Sequence, residues 1–192
     1  MSKRILAALL GIGLLSLLGG LAGLSLFTDQ ATVGANTFST GSVDLTTAPT
    51  TALITFSGMV PGDAVTNSLV VSNAGTLQFR YAISSSATNA DALALKDALT
   101  LTIKTIDVTT PGTPCDNFDG TQLYTGDLDD GAGGLLVGNA AQGAQAGDRT
   151  LNASASETLC FRVALSSAAT GPQGASTTGT FTFDAEQTVN NP

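Results

Sequence analysis

The chain has 192 residues, of which 11% are charged and 5% aromatic; it contains no histidine or tryptophan and carries a net charge of −8. The missing histidine removes the commonest general base and the commonest metal ligand, and no cluster of Lys and Arg offers a surface for nucleic acid. Composition thus argues against a histidine-dependent enzyme and a nucleic-acid-binding protein, while the length allows one domain and a targeting segment.

The N-terminus combines two basic residues, Lys3 and Arg4, with an uncharged apolar run over residues 5–27. A basic n-region before an apolar h-region is typical of a secretory signal peptide. The run also approaches the ~20 residues that span a bilayer, and Leu24 and Leu26 stand where small residues are preferred at a cleavage site. A retained membrane anchor is therefore the alternative to a cleaved signal.

Residues 27–45 are rich in Thr, Ser and Gly, and their apolar side chains are sparse. These are Phe27, Val33, Phe38, Val43 and Leu45. Such a segment is too polar to form a core by itself, because few of its side chains gain by leaving water. We interpret it as a strand or pairing arm.

The rest of the chain alternates between polar and apolar residues, which predicts half-buried strands. Ala52–Phe56 predicts a short strand, and Pro61-Gly62-Asp63 predicts a turn, because Pro presets φ and Gly accepts a positive φ. We expect Arg80 and Arg162 to face outward. The apolar faces of the other strands are formed by Val65, Leu69 and Val71, by Phe79, Tyr81 and Ile83, by Leu99, Leu101 and Ile103, by Leu159, Phe161, Val163 and Leu165, and by Phe181, Phe183 and Ala185.

Only one stretch, Asn89–Ala98, has a helical character, and it is short. Many short strands separated by turn signals about every ten residues are typical of a sandwich or jelly roll. We therefore predict an all-β fold, a jelly-roll or β-sandwich domain with one or two short helices, preceded by an N-terminal hydrophobic signal helix.

The two cysteines, Cys115 and Cys160, are consistent with one disulfide in an oxidising compartment. Two unpaired thiols are the alternative.

Two acidic loops could offer oxygen ligands to Ca²⁺. One contains Asp127, Asp129 and Asp130, and the other contains Asp116-Asn117-Phe118-Asp119-Gly120. Neither loop has EF-hand spacing, so a solvated acidic loop is favoured and no metal site is predicted. Asn152-Ala153-Ser154 matches the N-glycosylation sequon.

Several segments, in this order, resemble the TasA/camelysin family of secreted matrix proteins. The resemblance covers both ends of the chain. It rests on the glycine-rich apolar leader ending in Phe27-Thr28-Asp29, on residues 36–45, on Pro61-Gly62-Asp63, on residues 69–77 and on the closing segments Gln173-Gly174 and 181–188.

The resemblance implies a jelly-roll domain that is exported and cut by a dedicated signal peptidase between Leu26 and Phe27. It also implies fibres in an extracellular or cell-surface biofilm matrix, in which each subunit donates its N-terminal strand to its neighbour. The donor residues would be Phe27, Val33, Phe38, Val43 and Leu45. Some relatives are labelled metallopeptidases, but a zinc peptidase typically uses a His-Glu-x-x-His helix, and this chain has no histidine.

The predicted organisation is a signal peptide over residues 1–26, a donor arm over 27–45 and a sandwich domain over 46–192. The predicted function is that of a secreted fibre subunit without a cofactor. Its partners are further copies of itself and the signal peptidase, with no nucleic acid, and it meets the membrane only through an uncleaved signal. The alternative is a monomeric, membrane-anchored or surface-bound adhesion module.

Overall fold

The computed structural model describes Thr37, residues 39–129, residues 134–170 and residues 173–191. A compact unit spans Thr40–Pro192. The predicted signal helix over residues 1–26 lies outside the described residues. Within the described ranges, no helix is long and apolar enough to cross a membrane.

The described part of the chain is built from nine strands and one short helix. In chain order they are β1 (Leu45–Ala48), β2 (Ala64–Asn73), β3 (Phe79–Ala87), α1 (Leu95–Ala98), β4 (Leu99–Thr105), β5 (Gln122–Asp127), β6 (Leu135–Val137), β7 (Arg149–Leu151), β8 (Ser156–Leu165) and β9 (Gly179–Gln187).

These strands form two antiparallel sheets. Sheet A has the order β1-β2-β8-β4-β5. In sheet B the long strand β3 pairs with β9 along its whole length, and β6 and β7 pair with its two halves. The chain passes repeatedly from one sheet to the other, so that both inner faces contribute to one core. The prediction of an all-β sandwich is confirmed.

The core follows the predicted alternation. In β4, Leu99, Leu101 and Ile103 are buried, because a strand directs alternate side chains to one face. The inner faces of the other long strands behave in the same way. Their buried residues are Leu69 and Val71, Phe79, Tyr81 and Ile83, and Leu159, Phe161, Val163 and Leu165.

One local prediction was wrong. Ala52–Phe56 is not a strand, although Leu53, Ile54 and Phe56 pack against the core. Its apolar residues therefore indicated burial but not pairing with a neighbouring strand. The short helix predicted within Asn89–Ala98 is confirmed as the four residues of α1, and in the turn before it the Asn89 side-chain oxygen accepts a hydrogen bond from the Ala94 amide.

The predicted disulfide is confirmed. Cys115 and Cys160 are bonded, with 5.3 Å between their Cα atoms. Cys160 lies between the inward-facing residues of β8 and therefore points to the outer face of sheet A. The disulfide holds the long loop between β4 and β5 against that face, where Phe118 packs against both cysteines.

Removal of this bond should lower stability. The bonded cysteines are 45 residues apart, and closing such a loop in the unfolded chain contributes about 4 kcal/mol. We expect the double variant Cys115→Ala/Cys160→Ala to lose roughly that free energy of unfolding, measured by urea denaturation. The wild-type protein under reducing conditions is the control and should match the variant. An unchanged midpoint in both would contradict this account.

Candidate functional site

The structure describes the C-terminal end of the predicted donor arm. Leu26, Phe27, Val33 and Phe38 lie outside the described residues. Val43 and Leu45 are described, and both belong to the compact unit of their own chain. Leu45 opens β1 and packs against the core, whereas Val43 is 39% exposed.

Strand β1 covers only one end of β2. Its four residues pair with the C-terminal part of β2, from Leu45 opposite Asn73 to Ala48 opposite Val70. The rest of that edge is flanked by irregular chain, and there the Asn67 side-chain amide donates to the Leu53 carbonyl at 2.7 Å. The N-terminal edge of sheet A is thus partly protected within one subunit.

Strand β9 forms the longest edge in the described structure. All nine of its residues pair with β3, from Gly179 opposite Ala87 to Gln187 opposite Phe79. In the described ranges no strand pairs with its other side. Every second residue of β9 therefore directs its N–H and C=O away from β3.

The outward backbone groups of β9 can be identified from the bonds at its two ends. The Thr188 amide donates to the Gln78 carbonyl, and the Thr88 amide donates to the Thr178 carbonyl. Because hydrogen-bonded pairs alternate in an antiparallel ladder, the even-numbered residues of β9 bond to β3. The odd-numbered residues Phe181, Phe183 and Ala185 consequently direct their N–H and C=O groups away from β3, to the side where the described ranges provide no strand.

The same odd-numbered residues turn their side chains toward the core. Phe181 and Phe183 are only partly buried. The Phe181 ring lies 5.2 Å from that of Phe161, and the Phe183 ring lies 6.4 Å from that of Tyr81. Within the described part of the chain, this edge thus combines backbone groups that no strand pairs with partly exposed apolar side chains, and these are the two features used in strand addition.

Hydrogen bonds on the outer face of sheet B hold the C-terminal end of β9 in place. Arg80 donates to Glu186 at 2.6 Å and also to the Asn191 carbonyl. The Asn191 side chain and the Gly143 amide donate to Glu186 as well, and the hydrogen bond from Arg80 is the main reason that the pKa of Glu186 is lowered. Arg80 points outward from the sheet as predicted, but only 7% of it is exposed because loop and tail residues cover it.

The described basic side chains are all engaged within their own subunit. Three pair with carboxylates: Arg80 with Glu186, Lys96 with Asp97 and Asp129, and Arg149 with Glu157. The other two lie over the ring of Phe118, with Lys104 Nζ at 4.8 Å and Arg162 Cζ at 3.9 Å from its centroid. Arg162 therefore faces outward from sheet A as predicted, but beneath the loop that the disulfide holds.

Two of the three acidic side chains considered for calcium lie in the described part of the chain. Asp129 pairs with Lys96 at 2.9 Å, Asp127 is exposed, and Asp130 lies outside the described residues. In the described ranges, no three His, Cys, Asp or Glu residues form a group that could hold a metal ion.

The other acidic loop is organised around a buried carboxylate. Asp107 is 1% exposed and accepts hydrogen bonds from the amides of Thr109, Thr110 and Asn117 at 2.7–2.9 Å. Burial alone would raise its pKa, but these bonds and those from neighbouring side chains outweigh burial and lower the pKa to about 2. Its oxygens thus stabilise the loop from within.

A family model described as camelysin metallo-endopeptidase matches residues 1–98 of the chain. The match covers the leader, the arm and the first three strands, and it includes Pro61-Gly62-Asp63 and Asn73-Ala74-Gly75, two of the motifs that carried the resemblance. No curated protein matches the chain.

The side chains of this protein do not fit the metal centre that the family description implies. Zinc in peptidases is held by His together with Glu or other donors, and a further carboxylate acts as the base. The sequence has no histidine, and its two cysteines are bonded to each other. Asp and Glu alone suit hard cations rather than catalytic zinc.

Proposed function

The chain belongs to the camelysin family, and from this premise and the geometry of β9 we propose that it is a secreted structural protein. A signal peptidase cuts the chain between Leu26 and Phe27 and so releases the N-terminal arm. Each copy then donates its arm to the next subunit, and the copies assemble into extracellular fibres of a biofilm matrix. The observation that carries the proposal is the outer edge of β9, which is long and continuous and which no other strand of the described ranges pairs.

The acceptor in this proposal is the β9 edge. A strand laid beside it would satisfy the outward N–H and C=O groups of Phe181, Phe183 and Ala185. Main-chain bonds of this kind supply affinity, and alternate side chains set the register. Glu186 is held by Arg80, Gly143 and Asn191, so the end of the acceptor strand is fixed before a partner arrives.

The donor has a matching pattern and length. In an extended conformation the odd-numbered residues of the arm share one face, which is mainly apolar because Phe27, Ala31, Val33 and Ala35 outnumber Asp29 and Thr37. Residues 27–40 would reach about 45 Å at roughly 3.3 Å per residue, whereas the nine residues of β9 extend over roughly 30 Å. The arm can therefore cover the edge and still bridge two subunits.

Donation of this kind produces a filament. Because the donor and the acceptor are different surfaces, each added copy offers a new free edge, and a head-to-tail contact that does not close continues indefinitely. Before cleavage, Phe27 is fused to the apolar leader. Processing is therefore the step that makes the arm available.

The first test removes the donor. We expect a purified chain of residues 27–192 to form filaments with a uniform repeat in electron microscopy, and a chain of residues 41–192 to stay monomeric. The cut is placed before β1 so that the sandwich is left intact, which circular dichroism would verify. Filaments from the shorter chain would rule out the arm as the donor, and dispersed monomers from both would favour the monomeric binding module.

The second test blocks the acceptor. Pro is tolerated on an edge strand when the N–H it lacks would point to solvent, and the Ala185 amide points away from β3. We expect Ala185→Pro to abolish filaments in the chain of residues 27–192 while cooperative unfolding is retained. Ala185→Ser, which keeps the amide, is the matched control and should assemble normally. Assembly of both variants at the wild-type rate would exclude this edge.

The third test concerns charge. Residues 27–192 carry five basic and 15 acidic side chains, and the basic ones are engaged within the subunit, so approaching copies repel each other. Screening shortens the range of this repulsion from about 30 Å at 0.01 M salt to about 8 Å at 0.15 M. We expect the concentration of protein needed for assembly to fall several-fold as NaCl rises over this range. Light scattering would measure that concentration. A requirement that increases with salt would contradict this account.

A further inference from the structure

The turn between β2 and β3 holds the chain immediately before β1. The amides of Thr76 and Leu77 both donate to the Ser42 carbonyl, at 3.0 and 3.1 Å, and the Ala74 amide donates to the Asp44 carbonyl at 2.8 Å. In return, the Ser42 amide donates to the Thr76 hydroxyl at 2.9 Å. Four hydrogen bonds thus join two short segments that are more than thirty residues apart.

A buried asparagine at the start of the turn fixes its conformation. Asn73 is 1% exposed, and its side-chain amide donates to the carbonyls of Leu77 and Leu151 at 2.8 and 3.1 Å. Its side-chain oxygen accepts from the Gly75 amide at 3.0 Å. A buried polar side chain with its bonds satisfied in this way specifies one conformation of the turn.

Gly75 allows the two segments to approach closely. A Cβ atom at this position would collide with the Ser42 carbonyl and would lie 2.8 Å from the Asp44 nitrogen. Gly75 does not have a left-handed backbone, so conformation alone would permit another residue there. The contact with the backbone of residues 42–44 is therefore what requires glycine.

We propose that residues 73–77 form a clamp that fixes the point at which the N-terminal arm leaves the subunit. This inference rests on the proposed function, and it divides the predicted donor segment in two. Residues 42–48 stay on their own sheet, and only the chain before Gly41 passes to a second copy. Val43 and Leu45 are then anchor residues of the donating subunit, and Phe27, Val33 and Phe38 are the residues available to the acceptor.

The clamp has a mechanical role in this scheme. A donated strand holds two subunits together only if its other end is firmly attached to the subunit that provides it. Hydrogen bonds to Ser42 and Asp44, together with the β1–β2 ladder, supply that attachment. The compact unit begins at Thr40, which agrees with an exit point next to Gly41.

Limited digestion with chymotrypsin tests the clamp, because Phe38 and Leu45 are cleavable residues on either side of it. In the chain of residues 27–192 at a concentration too low for assembly, we expect cleavage after Phe38 and protection after Leu45. Mass spectrometry of the fragments would identify the cleavage sites. Gly75→Ala should increase the rate of cleavage after Leu45 by about tenfold or more, since a forced overlap in a packed contact is costly. It should also slow filament formation.

Two further variants make the result specific. Thr76→Val removes the acceptor for the Ser42 amide without disturbing the turn, and one lost hydrogen bond should raise the same cleavage rate roughly fivefold. Gly58→Asn is the control, because Gly58 has a φ of +67° and nothing within 4 Å of an added Cβ, and Asn tolerates this conformation. Its cleavage and assembly should match those of the wild type.

The outcomes separate the clamp from the wider proposal. Loss of protection after Leu45 together with slow assembly supports the clamp. Unchanged protection in both Gly75→Ala and Thr76→Val overturns it, as does lost protection with assembly at the wild-type rate. If the wild-type chain forms no filaments under any condition, the proposed function fails and the role of the clamp in assembly fails with it, whatever the digestion pattern.

Discussion

Assembly as proposed above depends on the outward backbone groups of β9, which no strand of the described part of the chain pairs. A strand paired on one side offers a row of N–H and C=O groups to any extended chain, and proteins usually protect such edges with short strands, bulges, charges or covering loops. On the side of β1 the chain does so, with a four-residue strand and the irregular segment that reaches Asn67. On the side of β9 the described structure has nine residues in register with β3 and no covering strand.

The electrostatic repulsion between copies of this protein acts over a longer range than the attraction between their strand edges. The excess of acidic groups keeps separate copies apart, while backbone hydrogen bonds and the half-buried rings of Phe181 and Phe183 act only at contact. Because the basic side chains are used inside the subunit, few are left to form ion pairs between copies. The proposed association is therefore expected to be specific for an extended strand and sensitive to the ionic environment.

The sequence allowed the strands to be predicted better than their pairing. Alternation placed Leu99, Leu101 and Ile103 on a buried face because burial depends on local periodicity. The same signal failed at Ala52–Phe56, whose apolar residues are buried without joining a sheet. The burial of Arg80 could not be predicted, because Gly143 and Asn191, which help to enclose its ion pair with Glu186, are distant in the sequence. The proposed division of the N-terminal arm at Gly41 could not be inferred from the sequence either, since it depends on a turn more than thirty residues further on.

The most direct measurement is a helical reconstruction of filaments grown from the chain of residues 27–192, at a resolution that traces the backbone. We expect an extended segment from one copy, ending at Gly41, to be hydrogen-bonded beside Phe181, Phe183 and Ala185 of the next copy, while Ser42 is still bound to the turn of residues 73–77 in its own subunit. An arm paired with its own subunit, and a β9 edge without a strand from a neighbour, would contradict donor-strand addition at this edge.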